Sequence, residues 1–234
     1  MKEKIVAFDE NGRARSFLII GTEKAIQLDS GIGMTDFKTE IPKYTDLPVI
    51  LVNTHGDMDH VGHNEMFGER YVHEADLEKL RHARRGQIED YNFIKDGDTF
   101  DIGGTVLEVV HMGGHSKGSI GLYDRENRIM FGGDVLTSEN TFMFNPSIDK
   151  LEVKESFEKL MALDLDIDEW YSCHNETIIR NYKELLADSY KALCDYLEGK
   201  PETDILEMHL GPNVMKVKRY RYGCATILVE RVEE

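Results

Sequence analysis

The chain is short of cysteine, short of basic charge and free of any long apolar run. Three cysteines in 234 residues, Cys173, Cys194 and Cys224, are odd in number and widely spaced. That argues against a disulfide framework and fits reduced thiols in a cytoplasmic protein. The opening MKEKIVAFDE holds no apolar stretch of signal-peptide length. No run of about 18 apolar residues occurs, so no membrane span is expected. Lysine and arginine number 28 against 44 acidic residues, a net charge of -16. An acidic field of this size repels nucleic acid and anionic membranes, which excludes both as main partners. Repeats, low-complexity segments and linkers are also missing.

What is present is an ordinary globular composition, 41% hydrophobic and 31% charged. A chain of this length hides roughly 70% of its unfolded surface, and residues 1–234 read as a single domain. Strand-type runs occupy Lys4–Phe8, Ser16–Gly21, Lys24–Asp29 and Pro48–Asn53. The last, PVILVN, is apolar throughout, as in a strand buried on both faces. A helix is predicted over Glu74–Arg85, ending at Gly86. Further strands are predicted at Asp98–Ile102, Thr105–Val110, Ser119–Tyr123 and Arg128–Phe131. Helical spacing returns over Leu151–Leu163 and, most clearly, over Glu176–Glu198, with a short strand at Trp170–Ser172 between them. Val214–Tyr220 and Ala225–Val229 read as strands. Two strand groups, each followed by helices, predict two sheets packed face to face with helices outside.

The stretch from Asn53 to Asn64, NTHGDMDHVGHN, carries three histidines and two aspartates in twelve residues. Imidazole and carboxylate are the usual ligands for zinc, iron and manganese. In an extended loop His55 and Asp57 face one way, while Asp59 and His60 turn toward another point. Gly56 leaves room for the bend. Glycine-flanked candidates recur later: His115 in GGHSKGS, Asp134 in FGGDV and His174 beyond the short strand in YSCHNE. Together these make seven candidate ligands, enough for two cations with one carboxylate between them. Taken alone, the first loop could be a solvated acidic turn; the later elements, in order, argue otherwise.

That ordered set resembles the metallo-β-lactamase superfamily: Asp29 in QLDSG, His55 to His60, His115, Asp134 and His174. The resemblance runs from about Phe17 to the helix after His174. It implies an α/β, four-layer αββα sandwich with a dinuclear site at one sheet edge. His55, Asp57 and His115 would hold the first metal; Asp59, His60 and His174 the second; Asp134 would bridge. Asp29 would support the ligand loop. The family's usual metal is zinc.

Three departures stand out. Asp57 replaces a histidine, His63 stands where glycine is usual, and Gly113 replaces a common proline. A carboxylate at 57 is harder than imidazole and adds negative charge, which tilts the first site toward iron or manganese. The flavodiiron branch is similar here, with glutamate at that position.

The implied chemistry is hydrolysis of a small-molecule ester, thioester, lactone, amide or phosphoester by a metal-bound hydroxide. Two close cations lower the pKa of water to near 7, and Asp59 orients that group or accepts its proton. The competing reading is a di-iron redox or oxygen-reducing protein lacking the flavin domain; a third is a metal-holding protein without turnover. His63 reads as a surface residue, and His73, His82, His111 and His209 as structural or exposed. Cys173 reads as a small buried residue, and Lys117 as solvated. Residues 141–144 are read either as pocket wall or as core.

Overall fold

The computed structural model describes residues 4–83, 88–175, 178–210 and 213–232. The first sheet is formed in chain order by β1 (Lys4–Asp9), β2 (Arg15–Ile20), β3 (Ala25–Leu28), β4 (Val49–Val52), β5 (Arg70–His73) and β6 (Asn92–Ile94). β1 to β3 pair antiparallel; β3 to β6 pair parallel. The short helix α1 (Phe37–Glu40) and helix α2 (Leu77–Ala83) fall in the crossovers. The second sheet holds β7 (Thr99–Asp101), β8 (Val106–His111), β9 (Ile120–Asp124) and β10 (Ile129–Phe131). The chain leaves it at β11 (Thr141–Phe142) and returns with β12 (Glu169–Tyr171) and β13 (Ile178–Ile179). Helices α3 (Lys150–Leu163) and α4 (Tyr182–Leu197) flank β12 and β13 in sequence.

The two sheets pack through alternate residues, as period-two strands require. Phe17, Ile19, Ile26 and Leu28 meet Leu107, Val109, Leu122 and Phe131 in one buried cluster. Phe17 sits 5.8 Å from Phe131 and 5.5 Å from Tyr171, ring to ring. Leu18, on the other face of β2, packs with Phe37 and Ile41. Behind the second sheet, Met130 and Trp170 meet Val153, Phe157 and Leu160 of α3 and Leu185, Leu186 and Leu193 of α4. Fully burying each such side chain contributes about 1.5–3 kcal/mol. This is the mixed α/β sandwich that the strand and helix pattern predicts.

Several elements differ from the sequence expectation. A third sheet, β14 (Asp204–Leu210), β15 (Asn213–Tyr222) and β16 (Ala225–Arg231), recruits β11 as its fourth strand. β5, β6, β11 and β14 were not expected, being short or, in β14, interrupted by Asp204, Glu207 and His209. The helix predicted over Glu176–Glu198 begins only at Tyr182, since the β-branched pair Ile178–Ile179 joins β12 as a strand; Glu176 and Thr177 lie outside the described residues. The helix predicted over Glu74–Arg85 opens with a 3-10 turn at Glu74–Asp76 before α2; Gly86 lies outside the described residues. The Leu151–Leu163 expectation extends by one residue, because Asp149 caps the helix by accepting from the Leu151 and Glu152 N–H groups. Among the described residues no helix is long and apolar enough to cross a membrane.

Candidate metal centre

β3 and β4 are parallel neighbours, so Asp29 and His55 leave the first sheet at the same edge. In the second sheet β8 and β10 are both antiparallel to β9, and β12 is parallel to β10. These three strands therefore share one direction, and the turns carrying His115, Asp134 and His174 emerge together. The Thr54 carbonyl accepts the Ile120 N–H at 2.8 Å, tying the first loop to the second sheet. Gly132 lies against the indole of Trp170, where a Cβ would sit 2.0 Å from Cζ2. Gly133 takes φ +55°, a conformation glycine adopts without cost, and so aims Asp134 at the cluster.

All seven candidates converge. Asp57 Oδ2 lies 3.5 Å from His55 Nε2 and 3.3 Å from His115 Nε2. Asp59 Oδ2 lies 3.8 Å from His60 Nε2 and 3.5 Å from His174 Nε2. Asp134 is the centre of the group. Its Oδ1 is 3.4 Å from His60 Nε2, and its Oδ2 is 3.0 Å from His174, 3.7 Å from His115 and 3.9 Å from His55. The trios His55–Asp57–His115 and Asp59–His60–His174 each present ligand atoms within 4.8 Å of one another, as do His55, His60 and Asp134.

The surrounding hydrogen bonds set the tautomers. The Thr54 hydroxyl donates to Asp29 Oδ2 at 2.7 Å, so it accepts from His55 Nδ1 at 2.9 Å. His60 Nδ1 donates to the same Asp29 oxygen at 2.8 Å. Both imidazoles, when neutral, then turn an unprotonated Nε2 into the cluster. His55 Nε2, His60 Nε2 and Asp134 Oδ1 are buried and make no hydrogen bond. Buried polar atoms without partners are costly, and a cation between them would satisfy all three. The residues present thus fit a divalent metal centre.

The electrostatics agree. Burial opposes ionisation of Asp57, but the His115 and His55 imidazoles beside it and the charge of Lys79 hold its carboxyl far below the usual range. Burial likewise opposes a low Asp59 value, and His174 and His60 prevail, bringing it to about 2. The imidazole of His174 is pushed up to about 9 against burial by Asp134 and Asp59, and His60 well above its ordinary value by Asp134 and Asp29. Without a cation, protons are the counter-charge to these carboxylates; a bound metal would displace them.

Two residues escaped the sequence reading. Asp76 is buried and accepts from Gly56 N–H at 2.7 Å, Ser116 Oγ at 2.6 Å and Gly118 N–H at 2.8 Å, bracing two candidate ligand loops with one carboxylate. Lys79 Nζ meets Asp57 Oδ1 at 2.5 Å. Both lie in the stretch predicted as a helix beside the motif, but no spacing within it says which loop that helix meets.

His63 is half-buried and pairs with Glu65 at 3.2 Å, outside the cluster. His73 and His111 stack at 4.6 Å, His82 bonds to the Glu78 carbonyl, and the His209 side chain lies outside the described residues. Cys173 is buried, with its thiol pushed up to about 12 by burial, and donates toward Asp29 at 3.7 Å. Lys117 is exposed. Residues 141–144 divide by alternation. Thr141 and Met143 are buried, while Phe142 and Phe144 line a cleft of about 450 Å³ with Arg13, Asp59, Asp134 and His174.

The family model described as the metallo-beta-lactamase superfamily matches residues 12–167. The acyl-coenzyme A thioesterase MBLAC2 of Gallus gallus is 27% identical over 196 residues, spanning 67% of this chain and 69% of that protein. The hydroxyacylglutathione hydrolase GloC of Haemophilus influenzae is 29% identical over 104 residues, 37% of this chain and 49% of that protein. Among solved structures, a metallo-beta-lactamase from Pontibacter korlensis superposes with a TM-score of 0.64 at 21% identity, covering 82% of this chain and 94% of that one.

Proposed function

The chain belongs to the metallo-β-lactamase superfamily, and on that premise we propose that it hydrolyses the thioester bond of a small acyl thioester at a centre holding two divalent cations. The observation that carries the metal reading is the trio of buried, unpartnered atoms, His55 Nε2, His60 Nε2 and Asp134 Oδ1, at the middle of seven convergent side chains. The thioester reading is supported by two relatives, named as an acyl-coenzyme A thioesterase and a hydroxyacylglutathione hydrolase.

His55, Asp57 and His115 would hold one cation, Asp59, His60 and His174 the other, and Asp134 would serve both. When bound, the pair supplies Lewis acidity to the substrate carbonyl and a water of lowered pKa. The chain's own groups do the rest. Asp29 and Thr54 fix His60 and His55 in rotation. Asp59, whose side chain is 38% exposed, lines the cleft and takes the proton of the attacking water at Oδ1, the oxygen not turned to His60 and His174. Phe142 and Phe144 offer apolar walls to an acyl chain. Water adds to the acyl carbon, the C–S bond breaks, and the thiol leaves with a proton.

The test is thiol release from a panel of acyl thioesters, run beside oxygen esters, lactones and phosphoesters. Thioester turnover that is lost on chelation and regained with metal is expected. Turnover confined to another bond class would overturn the thioester reading.

A further inference from the structure

The two oxygens of Asp57 have different partners. Oδ2 faces the Nε2 atoms of His55 and His115, at 3.5 and 3.3 Å. Oδ1 is taken by the Lys79 ammonium at 2.5 Å. The pair is partly shielded, with side chains 30% and 25% exposed, so its Coulomb term is less screened than at an open surface. The local backbone makes room for it. A Cβ on Gly56 would stand 2.8 Å from Lys79 Cβ and 3.2 Å from the Asp76 carbonyl oxygen, so the glycine lets α2 approach the loop. Asp76, at the entry to that helix, accepts the Gly56 N–H, which fixes the loop and the start of the helix together.

We propose that Lys79 is a positioning residue that makes Asp57 act as an electroneutral, one-atom substitute for an imidazole and so sets the metal preference of the first site. The proposal rests on the metal-centre reading above. A neutral histidine offers a cation one nitrogen and no charge. A lone aspartate offers two oxygens and a negative charge. With Lys79 bound to Oδ1, the Asp57–Lys79 unit has one free oxygen and no net charge. The charge that would favour iron or manganese at this position is thereby offset; the hardness of the oxygen remains. A lysine that merely packed the helix would have no reason to carry its ammonium to that oxygen.

The sign of one effect separates this role from a structural one. Loss of a supporting contact ordinarily weakens metal binding. Loss of a compensating positive charge strengthens it. The experiment is competition for zinc and for manganese against a chromophoric chelator, using the whole chain as wild type, Lys79→Met, Lys79→Arg, Asp57→His and Asp57→His/Lys79→Met. Lys79→Met is expected to bind the first cation about tenfold tighter, with manganese gaining more than zinc because both oxygens are free. Lys79→Arg is expected to follow the wild type. Asp57→His is expected to bind more weakly than wild type, since the ammonium loses its partner beside the cation, and the double variant to recover. Wild type that binds two cations, with Lys79→Met unchanged or weaker, overturns this inference alone. Wild type that binds none overturns it together with the metal-centre reading. If Asp57→His does not fold, the contrast between Lys79→Met and Lys79→Arg decides.

Discussion

His60 Nδ1 lies 2.8 Å from Asp29 Oδ2, with both side chains fully buried. That carboxylate also accepts the Thr54 N–H and hydroxyl, each at 2.7 Å, so one residue orients two imidazoles. Asp29 takes φ +61°, which asparagine tolerates. Asp29→Asn should therefore keep the fold while losing an acceptor and a charge. Affinity for the second cation should fall about 10- to 100-fold, read by chelator competition with circular dichroism as the control. An unchanged affinity would sink the orienting role.

Asp76 leaves two buried backbone donors without an acceptor when removed, Gly56 N–H and Gly118 N–H, and leaves the Ser116 hydroxyl only Ser119 Oγ at 2.9 Å. At about 1–3 kcal/mol for each buried unsatisfied group, Asp76→Ala should cost about 3 kcal/mol or more, after partial relaxation. Chemical denaturation of the variant and wild type measures this. A loss under about 1 kcal/mol would mean that the two loops hold themselves.

Gly132 is pressed against Trp170, and an added Cβ would meet the indole at 2.0 Å. The ring is fully buried among α3 and α4 residues and has nowhere to go. Gly132→Ala should destabilise by about 3 kcal/mol and displace Asp134 two residues on. Unfolding curves and metal content should fall together; stability and metal content equal to wild type would contradict this packing account.

Stability of the metal-free chain should fall with rising pH. His174 is held at about 9 in the folded state, against burial, by Asp134 and Asp59, and ionises near 6.5 when unfolded. Its contribution is fully present below about 6.5 and is lost as pH rises through about 9. Thermal melts of chelator-treated protein across that window should show a declining Tm, and His174→Gln should flatten the decline. A melt temperature that holds or rises over the window, with no difference in the variant, would refute the linkage.

The site was more legible in the sequence than the fold around it. His55, Asp57, Asp59, His60, His115, Asp134 and His174 are short-range features of turns at strand ends, and their order along the chain is visible in residue types. Phe142 and Phe144 were half legible, since alternation splits 141–144 only once β11 is known to pair with β16. The third sheet was hidden because Asp204, Glu207 and His209 interrupt the apolar positions of β14, so that it reads as a solvated loop does. Lys79 and Asp76 were hidden for another reason: their roles depend on where α2 docks, which no local spacing records.

Two cations held by seven side chains, with Asp134 between them, would show in the metal content of the chain. The most direct measurement is metal per chain by elemental mass spectrometry, on protein loaded with zinc or manganese and freed of excess, for wild type and Asp134→Ala. Two ions per wild-type chain are expected, with most bound metal lost in a still-folded variant. A wild type holding at most one ion, or a variant retaining both, would contradict this.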